Sequence, residues 1–294
     1  MNLELLVTGL SLGAVYALVA LGFVIVFKAS EVLNFAHGSL VVAGAYVTAR
    51  THEVLGFFGA VVAGIIAAAL VALIIERVLV RPIRNAPVIS LAILTIGIEV
   101  VMNTELVRQM GVEILPLGHP WGAATFALDD VVIPVNRVVA IVTAVIIIGV
   151  FLAAFRFSSW GVSMRAAAED RETAELVGLN LSRISMVSWV IAGALAAVAG
   201  IFLTGAPTPG LAPSLAVIAM RAFPAAIIGG LDSVAGALAG GMIIGLVEAF
   251  AVGYQSELSF LGRGIGEVMP FIVMILVLII RPQGLFGRKE FVRV

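Results

Sequence analysis

Long apolar runs, repeated along nearly the whole chain, are the feature that most constrains how this sequence can fold. A helix needs about 20 mostly apolar residues to cross the hydrocarbon core of a bilayer. The candidate spans are 5–27, 34–49, 57–75, 87–106, 138–155, 186–204, 214–231, 235–253 and 264–280. The run 34–49 is short and is predicted to be either a short crossing or a re-entrant half-helix. Backbone groups in lipid must be paired internally, so each run is predicted to be helical.

Composition argues against a soluble fold. Of the 294 residues, 62% are hydrophobic and 12% are charged, whereas soluble domains are about 45–50% apolar and about 25% charged. A soluble protein of this size would have to expose apolar surface to water, but a membrane protein exposes it to lipid. We therefore predict an all-α, polytopic transmembrane helical bundle with about 8–9 membrane segments, forming a single domain over 1–294.

Several function classes are excluded or disfavoured by residue content. The chain has no cysteine, which excludes disulfides, thiolate metal sites and cysteine nucleophiles. Its net charge of −1 gives no reason to expect a nucleic-acid partner. No H-E-x-x-H or comparable metal cluster occurs, and the three histidines are far apart in sequence. We therefore predict no metal site and no catalytic residues: the protein is expected not to be an enzyme.

Basic residues in short loops predict the orientation, because they favour the cytoplasmic side. The three basic groups lie at 77–84, in the loop 156–185, and in the tail at Arg281, Arg288, Lys289 and Arg293. All three are expected inside, which makes the loop 107–137 extracytoplasmic. That loop is too polar and too rich in proline to span, and is expected to form a small hairpin or a surface helix. If 34–49 crosses, the N-terminus is outside and there are nine crossings; if it is re-entrant, the N-terminus is inside.

Four polar residues in the first spans are candidates for a substrate pathway. Asn34 and His37 lie one helical turn apart at the start of 34–49. A helix that begins at membrane depth points its N–H groups and positive dipole end at what lies beyond, which suits a substrate carboxylate. The alternative is a pair that only caps the helix. Glu99 and Asn103 share a face at i, i+4 spacing, and Glu99 is a candidate partner for a substrate ammonium or a partner arginine.

Two charges fall in late spans. Arg221 lies in 214–231 and Glu248 in 235–253. Charged groups in lipid are expensive and usually find a partner inside the protein. We expect these two to pair with each other, as a structural ion pair.

The loop 156–185 contains a short, charged segment with small apolar residues. Ser163 is a plausible N-cap, the following turns are helix formers, and Gly178 is a good stop. A second helix is expected to start near Asn180 or Ser182. Such a segment is too charged for lipid and suits docking to a partner; the alternative is a solvated loop helix.

This loop carries a resemblance to a known family. Glu172-Thr-Ala-x-x-x-Gly178 resembles the E-A-A-x-x-x-G coupling loop of ABC importer permeases, although the usual downstream Leu-Pro is absent. The stretch 164–180 is also similar to the corresponding loop of the branched-chain amino acid permease family. The stretches that resemble the LivH-type subunit of that family are 9–23, 33–38 and 222–237. Asp232 departs from the pattern, where a glycine is expected.

The resemblance implies a function and a set of partners. The chain is expected to be the permease subunit of an ABC importer that moves branched-chain, hydrophobic amino acids across the inner membrane. The implied partners are a second permease subunit of LivM type, two ABC ATPase subunits and an extracytoplasmic amino-acid-binding protein. ATP would be bound by the ATPase subunits, so no cofactor is expected in this chain. The coupling residues implied by the motif are Arg165, Asp170, Glu172, Ala174 and Gly178.

Other transport functions remain open at this level. Within the class, the substrate could be urea, a short amide or another amino acid. Outside it, the chain could be an ion-coupled secondary carrier or a passive channel. Glu99 and Glu248 suit an ion-coupled carrier, but a docking loop would be superfluous in a carrier that works alone.

The sequence contains no G-x-x-x-x-G-K-[ST] phosphate loop. The purified chain alone is therefore expected neither to bind nor to hydrolyse ATP. Equilibrium binding of a fluorescent ATP analogue and phosphate release, both measured on the isolated chain, test this. Saturable nucleotide binding by the isolated chain would contradict the prediction.

Overall fold

The computed structural model describes residues 3–122, 124–128, 131–205, 210–257 and 264–287. Within these residues the chain is a helical bundle with one small hairpin. The elements are α1 (Leu3–Ser30), α2 (His37–Ile74), α3 (Val88–Met110), β1 (Thr125–Leu128), β2 (Val131–Pro134), α4 (Val135–Phe157), α5 (Ser159–Glu169), α6 (Arg171–Leu176), α7 (Leu181–Leu203), α8 (Leu215–Met220), α9 (Phe223–Gly229), α10 (Val234–Gly253) and α11 (Ile265–Ile280). A π-helical turn, Ile75–Val80, and a 3₁₀ turn, Arg81–Ile83, extend α2. The basic residues Arg288, Lys289 and Arg293 lie outside the described residues.

The predicted helical membrane bundle is confirmed. Six of the described helices are long and apolar enough to cross a membrane, and α11 and the α8–α9 pair are shorter apolar helices. The loop 107–137 contains an antiparallel hairpin in which Thr125 pairs with Pro134. Of the two predicted alternatives, a small hairpin or a surface helix, the first is confirmed. The number of crossings and the side of the N-terminus stay predictions.

The segment 34–49, from His37 onward, belongs to the first half of a broken helix. Within α2, Gly56 has φ +68° and ψ 169°, which is not helical. The two halves fold back on each other, as shown by the hydrogen bond that Thr48 Oγ1 donates to the carbonyl of Ala60 at 3.3 Å. In a straight helix, residues 12 apart would lie about 18 Å apart. The short run is therefore part of a helix that continues through 55 and is joined to 57–74 in a helical hairpin.

Helix α1 lies at the centre of the bundle and is buried along most of its length. It runs antiparallel to α10: a Cβ on Gly13 would lie 3.0 Å from the Cα of Met242, and Lys28 Nζ at the other end donates to the carbonyl of Asp232 at 2.9 Å. Close backbone approach at small residues is the main way helices pack in lipid. The many glycines in the spans thus act in helix packing.

The predicted span 214–231 is two short helices instead of one. Helix α8 ends at Met220 and α9 begins at Phe223, with Pro224 in its first turn. Proline has no N–H to donate and is accommodated in the first turn of a helix, where that donor would have no helical partner. The break places Arg221 at a helix end inside the bundle.

Helices α3 and α4 form the periphery. In each, only 17% of the apolar window is buried, against 83% in α1. The exposed side chains are aliphatic, among them Ile93, Val101, Val145 and Val150. Such surfaces suit lipid or another membrane helix.

The helical hairpin in α2 requires glycine at Gly64, where a Cβ would lie 2.5 Å from the carbonyl oxygen of Gly44. We expect Gly64→Ala to separate the two halves and to lower the thermal unfolding midpoint of the detergent-solubilised protein. Gly97→Ala in α3 is the control, because nothing lies within 4 Å of its Cβ position. Alanine favours a helix by about 0.5–1 kcal/mol over glycine, so the control should be neutral or slightly stabilising. Equal midpoints for the two variants would contradict this packing.

Candidate functional site

The connector between α1 and α2, residues 31–36, is held by α3. Thr95 Oγ1 donates to the carbonyl of Leu33 at 2.7 Å, and the N–H of Phe35 donates to Thr95 Oγ1 at 3.2 Å. Thr95 is fully buried. One hydroxyl thus satisfies two backbone groups of a non-helical segment, which hydrocarbon could not do.

Glu99 lies one turn further along α3, at the start of α2. Its Oε2 accepts the N–H of Ser39 at 2.9 Å, and its carbonyl accepts a hydrogen bond from Ser39 Oγ at 3.3 Å. The first turn of a helix has unpaired N–H groups and a positive dipole end, which a carboxylate stabilises. Glu99 thus already occupies the N–H of Ser39. The hypothesis that the helix start beside Asn34 and His37 binds a substrate carboxylate stays a prediction.

Asn34 and His37 are brought together but do not cap the helix. The capping position of α2 is Ala36, with no side-chain hydrogen bond, so the capping alternative is wrong. Both side chains are buried. The amide of Asn34 has no hydrogen-bond partner among the described residues, and the His37 ring lies against the backbone of Val19. The His37 ring lies 4.6 Å from the ring of Phe23, and Gly22 leaves the space that it occupies. Their part in a substrate pathway stays a prediction.

Asn103 lies one turn beyond Glu99 on the same face of α3, as its spacing predicts. Its Oδ1 is buried and has no partner in the described part of the chain. The face therefore carries Thr95, Glu99 and Asn103 in succession. Thr95 and Ser39 were missed by sequence reasoning; the signal that would have found Thr95 is its i, i+4 spacing from Glu99.

Arg221 and Glu248 form the expected ion pair, with Arg221 Nη1 2.9 Å from Glu248 Oε1. Two further groups join them: Tyr16 donates to Glu248 Oε2 at 2.8 Å, and Arg221 Nη2 lies 3.2 Å from Glu267. Tyr16 and Glu267 were not singled out from the sequence. The network connects α1, the α8–α9 break, α10 and α11.

The predicted coupling segment consists of two helices that meet at Asp170. The expected cap at Ser163 is wrong, because Ser158 caps α5 by accepting the N–H of Gly161, and Ser163 lies inside the helix. Asp170 caps α6: it accepts the side-chain hydroxyl of Thr173 at 2.7 Å and its N–H at 2.9 Å. These hydrogen bonds hold the pKa of Asp170 below its usual range, so its carboxylate is charged at neutral pH.

The predicted stop at Gly178 is confirmed. Gly178 has φ +86°, its N–H donates to the carbonyl of Glu175, and the next N–H, of Leu179, donates to the carbonyl of Ala174 at 3.0 Å. This is the Schellman arrangement that favours glycine at the residue after the helix. Asn180 then caps α7 by accepting the N–H of Arg183 at 3.0 Å, which confirms the earlier of the two proposed starts.

The surface of the coupling segment differs from the prediction. Ala174, expected to lie against a partner, is 3% exposed and belongs to the buried core, whereas Leu176 and Val177 are 87% and 71% exposed. Arg165 binds back to the end of α4 through the carbonyls of Phe155 and Arg156. Glu172 is exposed on α6. The most exposed apolar side chains of the coupling segment are thus Leu176 and Val177, which the motif did not indicate.

The apolar helical bundle, with polar residues clustered between its helices, defines a multi-pass membrane protein of the permease class. The chain belongs to the family of branched-chain amino acid transport system permease components, whose family model matches residues 5–278. The multi-pass inner-membrane location expected from the sequence follows from this family and from the six apolar helices.

Curated relatives support the same assignment. The chain is 33% identical to the high-affinity branched-chain amino acid transport system permease protein LivH of Salmonella typhimurium, over 98% of this chain and 96% of the relative. The same identity and coverage hold for BraD of Pseudomonas aeruginosa. A probable branched-chain amino acid transport permease protein LivH of Methanocaldococcus jannaschii is 31% identical over 92% of this chain and 88% of its own.

A solved structure shares the fold. PsaBC from Streptococcus pneumoniae in complex with Fab matches with a TM-score of 0.51 and 12% identity, covering 96% of this chain and 94% of that one. At this identity the similarity concerns the fold alone.

Removing the Glu99 carboxylate should weaken the start of α2. Loss of a side-chain cap typically costs about 0.5–2 kcal/mol, so Glu99→Ala is expected to lower the thermal unfolding midpoint. Glu105→Ala is the control on the same helix, because Glu105 pairs only with exposed neighbours at the other end. A Glu99→Ala midpoint equal to that of the control would mean that Glu99 does not stabilise this helix start.

Proposed function

We propose that this chain is the pathway-forming permease subunit of an ABC importer for branched-chain amino acids. The main observation in support is the coupling segment 158–180, a rigid, capped pair of helices that presents Leu176 and Val177 to solvent. Isolated exposed hydrophobic residues are common on proteins. Two adjacent ones at the tip of a rigid connector, within an E-A-A-like motif, suit insertion into a partner groove.

The substrate assignment rests on the family and on the chemistry of the bundle. The relatives named above are branched-chain amino acid permeases. The interior is dominated by aliphatic side chains with a few polar clusters. Such walls suit apolar side chains, and the few polar groups suit a single zwitterion.

The proposed assembly contains a second permease of LivM type, two ATPase subunits and an extracytoplasmic amino-acid-binding protein. The sequence has no phosphate loop, so ATP would be bound by the ATPase subunits and this chain needs no cofactor of its own. The exposed aliphatic faces of α3 and α4 offer surfaces for the second permease and for lipid.

A contact path leads from the coupling segment to the connector between α1 and α2. Arg171, the first residue of α6, lies 4.0 Å from Glu31. Glu31 has φ +57°, a conformation uncommon for residues other than glycine. The same connector contains Asn34 and is held by Thr95. Movement of α6 driven by the ATPases would therefore act on the segment that holds the buried Asn34 and His37.

Charge placed on the proposed docking surface should uncouple the permease. We expect the double variant Leu176→Glu, Val177→Glu to insert normally, since both side chains are exposed, and to lose most ATPase association and uptake of labelled leucine. Co-purification with the ATPase subunits and proteoliposome uptake with the binding protein measure these effects.

Two controls define the result. Val112→Glu places the same charge at a residue that is 96% exposed at the end of α3, and Leu176→Met conserves volume and apolarity; both should behave like the wild type. Normal assembly and uptake by the double variant would show that this surface does not couple transport to ATP. Wild-type uptake of urea or short amides, without uptake of leucine, would refute the proposed substrate.

A further inference from the structure

A cavity of about 540 Å³ lies between α1, α4, α7, α8, α10 and α11, beside the Arg221–Glu248 network. Small-molecule sites commonly have volumes of about 300–1,000 Å³. Glu4 at the start of α1 and Gln255 just after α10 also line the cavity. It lies within a single subunit and is distinct from the Asn34–His37 cluster, whose residues do not line it.

Most of the cavity wall is apolar. Leu5, Leu12, Val15, Phe202 and Ile218 line it. These side chains come from α1, α7 and α8, so they surround the space from several directions. A wall of this kind favours an aliphatic ligand group, because burying apolar surface contributes about 25 cal/mol per Å².

Arg137 gives the cavity wall a positive charge with no close counter-ion among the described residues. Arg137, in the first turn of α4, donates to the neutral hydroxyl of Thr8. Among the described residues no carboxylate lies within 4.0 Å of it. Glu4, which is exposed and also lines the cavity, contributes only at longer range. A half-buried guanidinium with one neutral partner has several N–H donors left for an anion.

Among the described residues, the carboxylates around Arg221 outnumber it by one. Arg221 is shared by two carboxylates, Glu248 at 2.9 Å and Glu267 at 3.2 Å. Glu248 is buried and is also bound by Tyr16, whereas the Glu267 side chain is 65% exposed and lines the cavity. One arginine neutralises one of the two carboxylates, so Glu267 is available to a cation.

We infer that this cavity binds the transported amino acid as a zwitterion. The substrate carboxylate would accept hydrogen bonds from Arg137, its ammonium would donate to Glu267, and its aliphatic side chain would pack on the apolar wall. A cavity lined by a guanidinium, by a carboxylate beyond the Arg221–Glu248 pair and by an apolar wall matches a ligand with one charge of each sign and an aliphatic group. It matches neither a simple anion nor a simple cation. The inference rests on the proposed function and assigns it a site within this subunit.

The test measures equilibrium binding of tritiated leucine to the purified permease–ATPase complex without the binding protein. Competition by leucinamide, which lacks the carboxylate, and by 4-methylpentanoate, which lacks the ammonium, reports each end separately. In the wild type both should compete poorly with leucine.

Arg137→Gln should weaken leucine binding about tenfold or more, the effect of losing one charge-assisted hydrogen bond, and should abolish the preference for leucine over leucinamide. Glu267→Gln should abolish the preference over 4-methylpentanoate.

The controls are Arg108→Gln and Glu105→Gln, which remove an exposed ion pair on α3 away from the cavity and should change neither preference. Arg137→Lys keeps the charge and should retain the preference for leucine over leucinamide. If Arg137→Gln fails to assemble, this variant tests whether the charge at 137 binds the substrate carboxylate. Unchanged preferences in the cavity variants, with normal leucine uptake by the wild type, would overturn the site and leave the proposed function standing. Native mass spectrometry of the permease–ATPase complex gives a second test. A bound phospholipid that is lost in Arg137→Gln and is not displaced by leucine would also overturn the proposed site.

Discussion

Hydrocarbon offers no hydrogen bonds, and the rest of this structure depends on that constraint. Every backbone group within the bilayer must be paired by the protein, so the chain is helical wherever it is apolar. Where the helices are interrupted, side chains supply the missing partners, as Thr95 does for the connector after α1. The helices in turn associate by close backbone contact, which explains why glycines such as Gly13 and Gly64 lie at crossings where a Cβ would collide.

The same constraint applies to each polar side chain in the bundle, which also needs a hydrogen-bond partner within the protein. Glu99 is bound by the first turn of α2, and Glu248 is bound by Arg221 and Tyr16, so both carboxylates have structural partners. This weakens the case for a carrier that moves protons through these two residues. Asn34 differs, because its buried amide atoms have no partner among the described residues. Buried polar atoms of this kind are costly, and they mark the connector as a place where a ligand or a second conformation would compensate.

The two ends of the proposed mechanism are built differently. The coupling segment is rigid: Ser158, Asp170 and Asn180 cap its helices, and Gly178 ends α6. The membrane part that it contacts, through Arg171 and Glu31, contains an uncommon backbone conformation. In the proposed mechanism the coupling segment, with its capped helices, moves as a unit and acts on the less regular connector. The connector then passes the movement into a bundle whose helices are otherwise closely packed.

The sequence by itself determined the class of protein, the approximate positions of the apolar helices and the stop at Gly178. It also indicated a helix start near Asn180 or Ser182 and a possible Arg221–Glu248 pair. These features follow from composition, from helix signals that act within a short stretch, and from the cost of an unpaired charge in lipid. Charged residues are rare in the spans, so each has few possible partners. The hairpin at Gly56, the break before Phe223, the burial of Ala174 and the position of Glu99 at the start of α2 were decided only by the tertiary structure. Each of them depends on which helix faces which. In a chain that is apolar on nearly all sides, hydrophobic periodicity does not distinguish a lipid-facing surface from a protein-facing one, so that choice is made by packing.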